Sequence, residues 1–213
     1  MMKVLILGAT GQVGRHVLTQ ALAHENIAQV IAPTRRALPA HPKLCNPVSE
    51  DIGHTLHDIQ SMSIDAMICA IGTTIAKAGS KQAFRQIDYV LPIKFAETAL
   101  AQGASALALI SSPGASLKIP LFYCQTKGEV ERDIKKLGFR SLTIIRPGMI
   151  GGHREEFRLA ERLIFPIARR LRPILPLGLR MNPPEKIANA LIDSILYKEK
   201  GTYLLTSRNI VGR

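Results

Sequence analysis

Apolar residues in this chain gather into short unbroken runs rather than alternating with polar ones. Val4–Leu7, Val30–Ala32, Ala66–Ile71, Leu107–Ile110 and Leu142–Ile145 are each of strand length. A strand that is apolar at every position is buried on both faces, which is the habit of parallel sheets covered by helices. Between these runs, apolar residues recur at helical spacing over Val13–Ala23, Gln82–Gln102 and Leu121–Leu137, the last two stopping at Gly103 and Gly138. Glycine just past the last periodic position ends a helix because it enters left-handed backbone at little cost. The alternation predicts an α/β fold, a doubly wound and mainly parallel sheet. From Pro39 to Ser63 the pattern weakens to a short third strand near Leu44–Val48 and a helix around Ile52–Gln60.

After Pro147 the pattern changes. Glu155–Leu171 reads as a basic amphipathic helix interrupted by Pro166, and a further helix opens near Pro183 and Pro184, where a first turn tolerates proline. Residues 201–207 read as one last strand. No repeat, low-complexity tract or linker divides the chain, so 1–213 is expected to be a single domain. In such sheets ligands sit above the carboxyl ends of the strands, and 151–213 is expected to supply a small substrate-side cap there.

Composition adds three constraints. The chain is 46% hydrophobic and 21% charged, as soluble globular proteins are, and no apolar run approaches the ~20 residues of a membrane span. The opening MMKVLILGATG is a short apolar run broken by Gly8, without a signal-peptide pattern. Three cysteines, Cys45, Cys69 and Cys124, lack CxxC spacing and point to a reducing compartment, for which the cytoplasm is the expectation. The formal charge of +12 is spread along the sequence, and its densest stretch, RRLRPILPLGLR (169–180), has no aromatic residue to stack on bases. That argues against nucleic acid and for a solvated basic face, open to a protein partner, together with a pocket for an anion. Nothing in the pattern sets the oligomeric state.

The anion pocket has a candidate. VLILGATGQVGRHV places Gly8, Gly11 and Gly14 directly after a strand and at the opening of a helix. Such glycines allow a tight turn, bring backbone close to a pyrophosphate and let the helix pack against the strand, while the helix N-terminus receives the anion. After the second strand, an acidic residue would bond the ribose 2′-hydroxyl of NAD. This chain instead has Thr34, Arg35 and Arg36, and guanidinium groups suit a 2′-phosphate, so NADP(H) is preferred over NAD(H).

Tyr123 and Lys127 lie four positions apart in LFYCQTKGEVE and share a helix face. An ammonium near a phenol stabilises the phenolate, which makes tyrosine a usable acid or base. Hydride addition to a carbonyl leaves an alkoxide that must meet a donor or a proton, and no metal is called for.

Taken together, the G-x-x-G-x-x-G turn, the post-strand serines Ser111 and Ser112, Tyr123-x-x-x-Lys127 and IIRPG (144–148) resemble the atypical short-chain dehydrogenase/reductase superfamily. CAIGTTIAKAGSKQAFRQIDYV (69–90) and FYCQTKGEVE (122–131) resemble, more narrowly, its Tat-interacting oxidoreductase-like branch. The resemblance implies a Rossmann-type domain with Gly8, Thr10, Gly11, Gln12, Val13 and Gly14 around the pyrophosphate and Arg35 and Arg36 at the 2′-phosphate. Val48 would lie beside the adenine, Ala70, Ile71, Gly72 and Thr73 under the ribose, and Pro147, Gly148 and Met149 beside the nicotinamide. Ser111 is included among the cofactor contacts, and Lys127 would also hold the nicotinamide ribose. Tyr123 would be the proton donor, with a serine, Ser112 by spacing, holding the carbonyl of a small-molecule substrate. Asp88 departs from the pattern, standing where many relatives carry a relay asparagine. Two functions follow: an NADPH-dependent reductase of a small carbonyl, or a non-catalytic NADP(H)-binding sensor or interaction module.

Other features carry less. His54 and His57 lack further ligands at zinc spacing. Cys124 reads as a packing thiol, and His153 and Arg154, after the nicotinamide loop, read equally as surface-loop residues or as substrate contacts.

Overall fold

The computed structural model describes residues 1–150, 182–197 and 199–211. Seven strands, all parallel, form one sheet in the order β3-β2-β1-β4-β5-β6-β7. They are β1 Met2–Leu7, β2 Ile27–Ile31, β3 Leu44–Cys45, β4 Ala66–Cys69, β5 Ala106–Ile110, β6 Ser141–Arg146 and β7 Gly201–Thr206. The order reverses between β1 and β4, and that reversal opens a crevice at the carboxyl end of the sheet.

The continuous apolar runs become central strands because each feeds two cores. Val4 and Ile6 of β1 point to one face, where α1 (Gly14–Ala23) and α7 (Pro184–Leu196) pack through Val17, Ala21, Ile187 and Leu191. Leu5 and Leu7 point to the other, against Ile59 of α2 (Leu56–Ile59), Phe95 of α5 (Leu91–Ala101) and Val130 and Ile134 of α6 (Phe122–Lys136). These strand side chains are fully buried, and each Leu or Ile contributes about 1.5–3 kcal/mol by leaving water.

The doubly wound sheet matches the sequence expectation, with four local differences. The third strand shrinks to two residues, and the helix expected over Ile52–Gln60 is a 3-10 turn (Ile52–Thr55) followed by α2. A short helix α3 (Ile75–Ala78), capped by Thr74 Oγ1 accepting from Lys77 N at 3.2 Å, precedes the next one. The single helix expected over Gln82–Gln102 is divided into α4 (Lys81–Arg85), a π-helical turn (Gln86–Val90) and α5. Periodicity over twenty residues does not reveal one extra residue in a turn.

The tail divides as well. Its described part builds the body of the fold: α7 is the crossover that delivers β7 beside β6, and α8 (Ser207–Val211) follows. The helix expected over Glu155–Leu171, with His153, Arg154 and the basic stretch 169–180, lies outside the described residues.

Candidate active site

The turn after β1 is built for close backbone approach. Gly8 has φ +92°, a left-handed conformation that a side chain would strain, and a Cβ there would stand 2.5 Å from Ile71 N. Gly11 N donates to Gly8 O at 3.0 Å. A Cβ on Gly14 would lie 1.9 Å from Gly8 O, so only glycine lets α1 start this close to the strand end. Among the described residues no side chain caps α1, and no acidic residue occupies its first turn, which leaves its positive end suited to an anion.

Two adjoining clefts lie above the carboxyl ends of the strands. The larger, about 730 Å³, is lined by Gly8, Thr10, Gly11, Arg35 and the Ala70–Thr73 segment after β4. The smaller, about 290 Å³, shares Gly11 and Ala70–Thr73 and adds Gln12, Val13, Ser111, Ser112, Tyr123, Lys127, Pro147, Gly148 and Met149. A further hollow holds Thr10, Arg35 and Arg36 together. Gly14 acts through packing instead. Val48 is 47% exposed, pairs with Thr34 across an isolated bridge and lines none of these clefts. Ile52 lines the larger cleft in its stead. The arginines also have a carboxylate near them after all: Glu50, remote in sequence, lines the same hollow as Arg35 and Arg36.

Helix α6 presents both members of the Tyr-Lys pair to the smaller cleft. Tyr123 packs its ring 5.6 Å from that of Phe84, tilted by 41°. Lys127 is buried, and its Nζ lies 2.7 Å from Asp88 Oδ1, whose side chain has no exposure at all. Asp88 Oδ2 accepts from Thr73 N at 2.9 Å. Burial pushes the Asp88 carboxyl up, while Lys127 and the Thr73 N–H pull it back toward the charged form.

The π turn is what brings Asp88 there, and it is bolted to α6 on both sides. Arg85 pairs with Glu129, and Tyr89 donates its hydroxyl to Asp133 Oδ2 at 3.0 Å. Arg132 and Lys136 also hold Asp133, so its carboxyl sits well below the usual range. A π turn costs regular helix geometry and is found mostly where function needs it.

The two serines are not equivalent. Ser111 donates its hydroxyl to Glu131 Oε1, and Glu131 in turn takes a two-pronged bond from Arg146 at 2.8 and 2.6 Å. This buried network occupies the Ser111 hydroxyl on the core side. Among the described residues, Ser112 Oγ has only a long 3.4 Å contact from Gly114 N, which leaves it the freer of the two to meet a ligand.

Asn182 was not singled out by the sequence. Fully buried, it accepts from Gly148 N through Oδ1 at 2.6 Å, and its own N–H donates to Met149 O at 2.8 Å. It thereby fixes the Pro147–Met149 loop that floors the smaller cleft. An asparagine before two prolines reads as a turn, and only the fold shows what it faces. Asn182→Ala strands the Gly148 N–H, and a lowered melting midpoint worth about 1–3 kcal/mol is expected. An unchanged midpoint would contradict that role.

Among the described residues, no three His, Cys, Asp or Glu side chains converge as metal ligands. Nor is any helix among them long and apolar enough to cross a membrane.

With the geometry in place, known proteins can be compared. Residues 47–165, more than half of the chain, match the family described as HIM1. Protein fmp52, mitochondrial, of Emericella nidulans is 37% identical over 168 residues, covering 76% of this chain and 72% of its own. The chain belongs to the HIM1 family. Protein FMP52, mitochondrial, of Candida albicans is 38% identical over 160 residues, covering 73% of this chain and 70% of its own.

Among solved structures, a short chain dehydrogenase family protein from Francisella tularensis superposes with TM-score 0.70 at 17% identity, covering 99% of both chains. The Bordetella bronchiseptica enzyme WbmH, in complex with NAD+, gives 0.72 at 16% identity, covering 97% of this chain and 76% of its own. Such likenesses establish the short-chain-dehydrogenase-like Rossmann fold. The relatives' names overturn the cytoplasmic expectation, since each is called mitochondrial. Unpaired cysteines argue against an oxidising compartment and distinguish nothing further.

Proposed function

We propose that this protein is an NADP(H)-dependent reductase that delivers hydride to a small carbonyl substrate. One observation carries the reading: Tyr123, Lys127 and Ser112 open onto the same cleft as the glycine turn and the Pro147–Met149 loop. The residues fit a dinucleotide. The Gly8 and Gly14 cradle has no room for a Cβ, the end of α1 is open to a pyrophosphate, and Arg35 and Arg36 gather beside Thr10 for a 2′-phosphate. A bound NADPH supplies the hydride. The chain's part is to hold the cofactor, to bond the substrate oxygen through Ser112, and to give that oxygen the Tyr123 hydroxyl proton as negative charge develops on it.

Glu50 beside the arginines, with Asp51 in the adjoining cleft, tempers the preference for a 2′-phosphate, which rests on the paired guanidinium groups of Arg35 and Arg36. The narrower resemblance to the Tat-interacting branch belongs to the same proposal. So does the single-domain organisation, with residues after Ile150 contacting substrate and the basic tail open to a protein partner. The relatives' names make the mitochondrion the proposed compartment.

A second reading, a cofactor-binding sensor without turnover, draws on the Lys127–Asp88 ion pair, which ties up the cation that the chemistry would use. NADPH consumption against aldehydes, ketones and quinones separates the two. Turnover that depends on Tyr123 is expected, whereas cofactor binding with no turnover would favour the sensor.

A further inference from the structure

The cation beside the proposed proton donor is not free. Lys127 Nζ and Asp88 Oδ1 are 2.7 Å apart, with 7% and 0% of their side chains exposed. The carboxylate cannot swing aside, because Thr73 N holds its other oxygen and the π turn carrying it is tied to α6 through Arg85–Glu129 and Tyr89–Asp133. Seen from Tyr123, a lone ammonium is a full positive charge, whereas an ammonium in contact with a carboxylate is a dipole whose field falls off faster. Lys127 and Asp88 themselves are buried, so water screens this pair less than it would an exposed one.

The distinction bears on reaction direction. A full charge favours the phenolate, a base that takes a proton from an alcohol during oxidation. A reductase needs the phenol. We propose that Asp88 is a charge-cancelling partner of Lys127, a positioning residue that keeps Tyr123 in its proton-donating form and sets the site for reduction over oxidation. This rests on the reading of Tyr123 as the proton donor.

The surroundings leave the pair in control. Cys69 at the end of β4 feels the charges of both Lys127 and Asp88, and burial pushes its thiol up to about 12, so it stays neutral. On α4, Lys81 Nζ lies 5.4 Å from the Phe122 ring on the exposed side, where water screens it. Arg85 pairs with Glu129, and Glu131 is spent on Arg146 and Ser111. Cys124, next to Tyr123, is half-buried on the same helix.

Ultraviolet titration of tyrosine ionisation tests the proposal without any substrate. The chain has 4 tyrosines, so the curve of a matched Tyr123→Phe protein is subtracted to isolate Tyr123. In Asp88→Asn, which keeps an acceptor for Thr73 N but carries no charge, the Tyr123 midpoint is expected to fall by about one pH unit. An unchanged or raised midpoint in a protein that still melts cooperatively overturns the proposal. Should Asp88→Asn not fold, Asp88→Ser removes the same charge with less bulk and is read identically. In turnover, the alkaline limb of carbonyl reduction is expected to move down with the midpoint, a shift that a merely structural Asp88 would not produce. If the midpoint moves but Tyr123→Phe turns over normally, the reading of Tyr123 as proton donor fails and the charge pairing stands.

Discussion

Tyr123→Phe is expected to lower NADPH-dependent carbonyl reduction by about 10²–10⁴-fold, the usual reach of a positioned general acid. The substitution removes one oxygen and little else. The ring that packs 5.6 Å from Phe84 stays, and Lys127 remains anchored by Asp88 rather than by the tyrosine. Melting behaviour and cofactor affinity should therefore be preserved while the rate falls. Comparing kcat/KM of the two proteins checks it. Equal turnover would remove Tyr123 from the chemistry and leave water or Ser112 as the proton source.

Gly14→Ala carries the other large effect, on stability and binding together. The new Cβ would stand 1.9 Å from Gly8 O, 2.8 Å from Gly8 C and 3.1 Å from Ala9 Cα, all backbone atoms with no flexible end to yield. Relief requires α1 to move off the strand end, which disturbs Val17 and Ala21 in the core and retracts the helix N-terminus from the phosphate position. A cost of about 3 kcal/mol or more is expected. In a chain of this size that lowers the melting midpoint by roughly 6–12 °C, and stabilisation by NADPH should be lost. A variant that melts normally and still gains stability from NADPH would show that the turn is not the cofactor cradle.

What could be read from the sequence followed from short-range physics. Val4–Leu7 announces a central strand because every position is apolar, and Gly8, Gly11 and Gly14 announce a phosphate turn through their spacing after it, with Gly8 and Gly14 lying where a Cβ cannot fit. Tyr123 and Lys127 announce a shared face through helix periodicity alone. What stayed hidden depended on long-range placement. Asp88 could be noted as a departure, but its contact with Lys127 arises from a π turn that periodicity does not encode. Glu131 looks like an ordinary helix-surface residue until Arg146 and Ser111 close on it. Asn182 reaches Gly148 across 34 positions of chain. Glu50 meets Arg35 and Arg36 only because the β3 segment folds back beside the second strand.

The central claim is that this cleft holds NADPH through the glycine turn and the arginines. Thermal melting of the full chain alone, with NADPH and with NADH tests it most directly. A ligand at ~100 times its Kd adds about 2.7 kcal/mol, or roughly 5–11 °C here. A shift of that size with NADPH, and a smaller one with NADH at equal concentration, is the predicted result. No shift with NADPH, or a larger one with NADH, would contradict it.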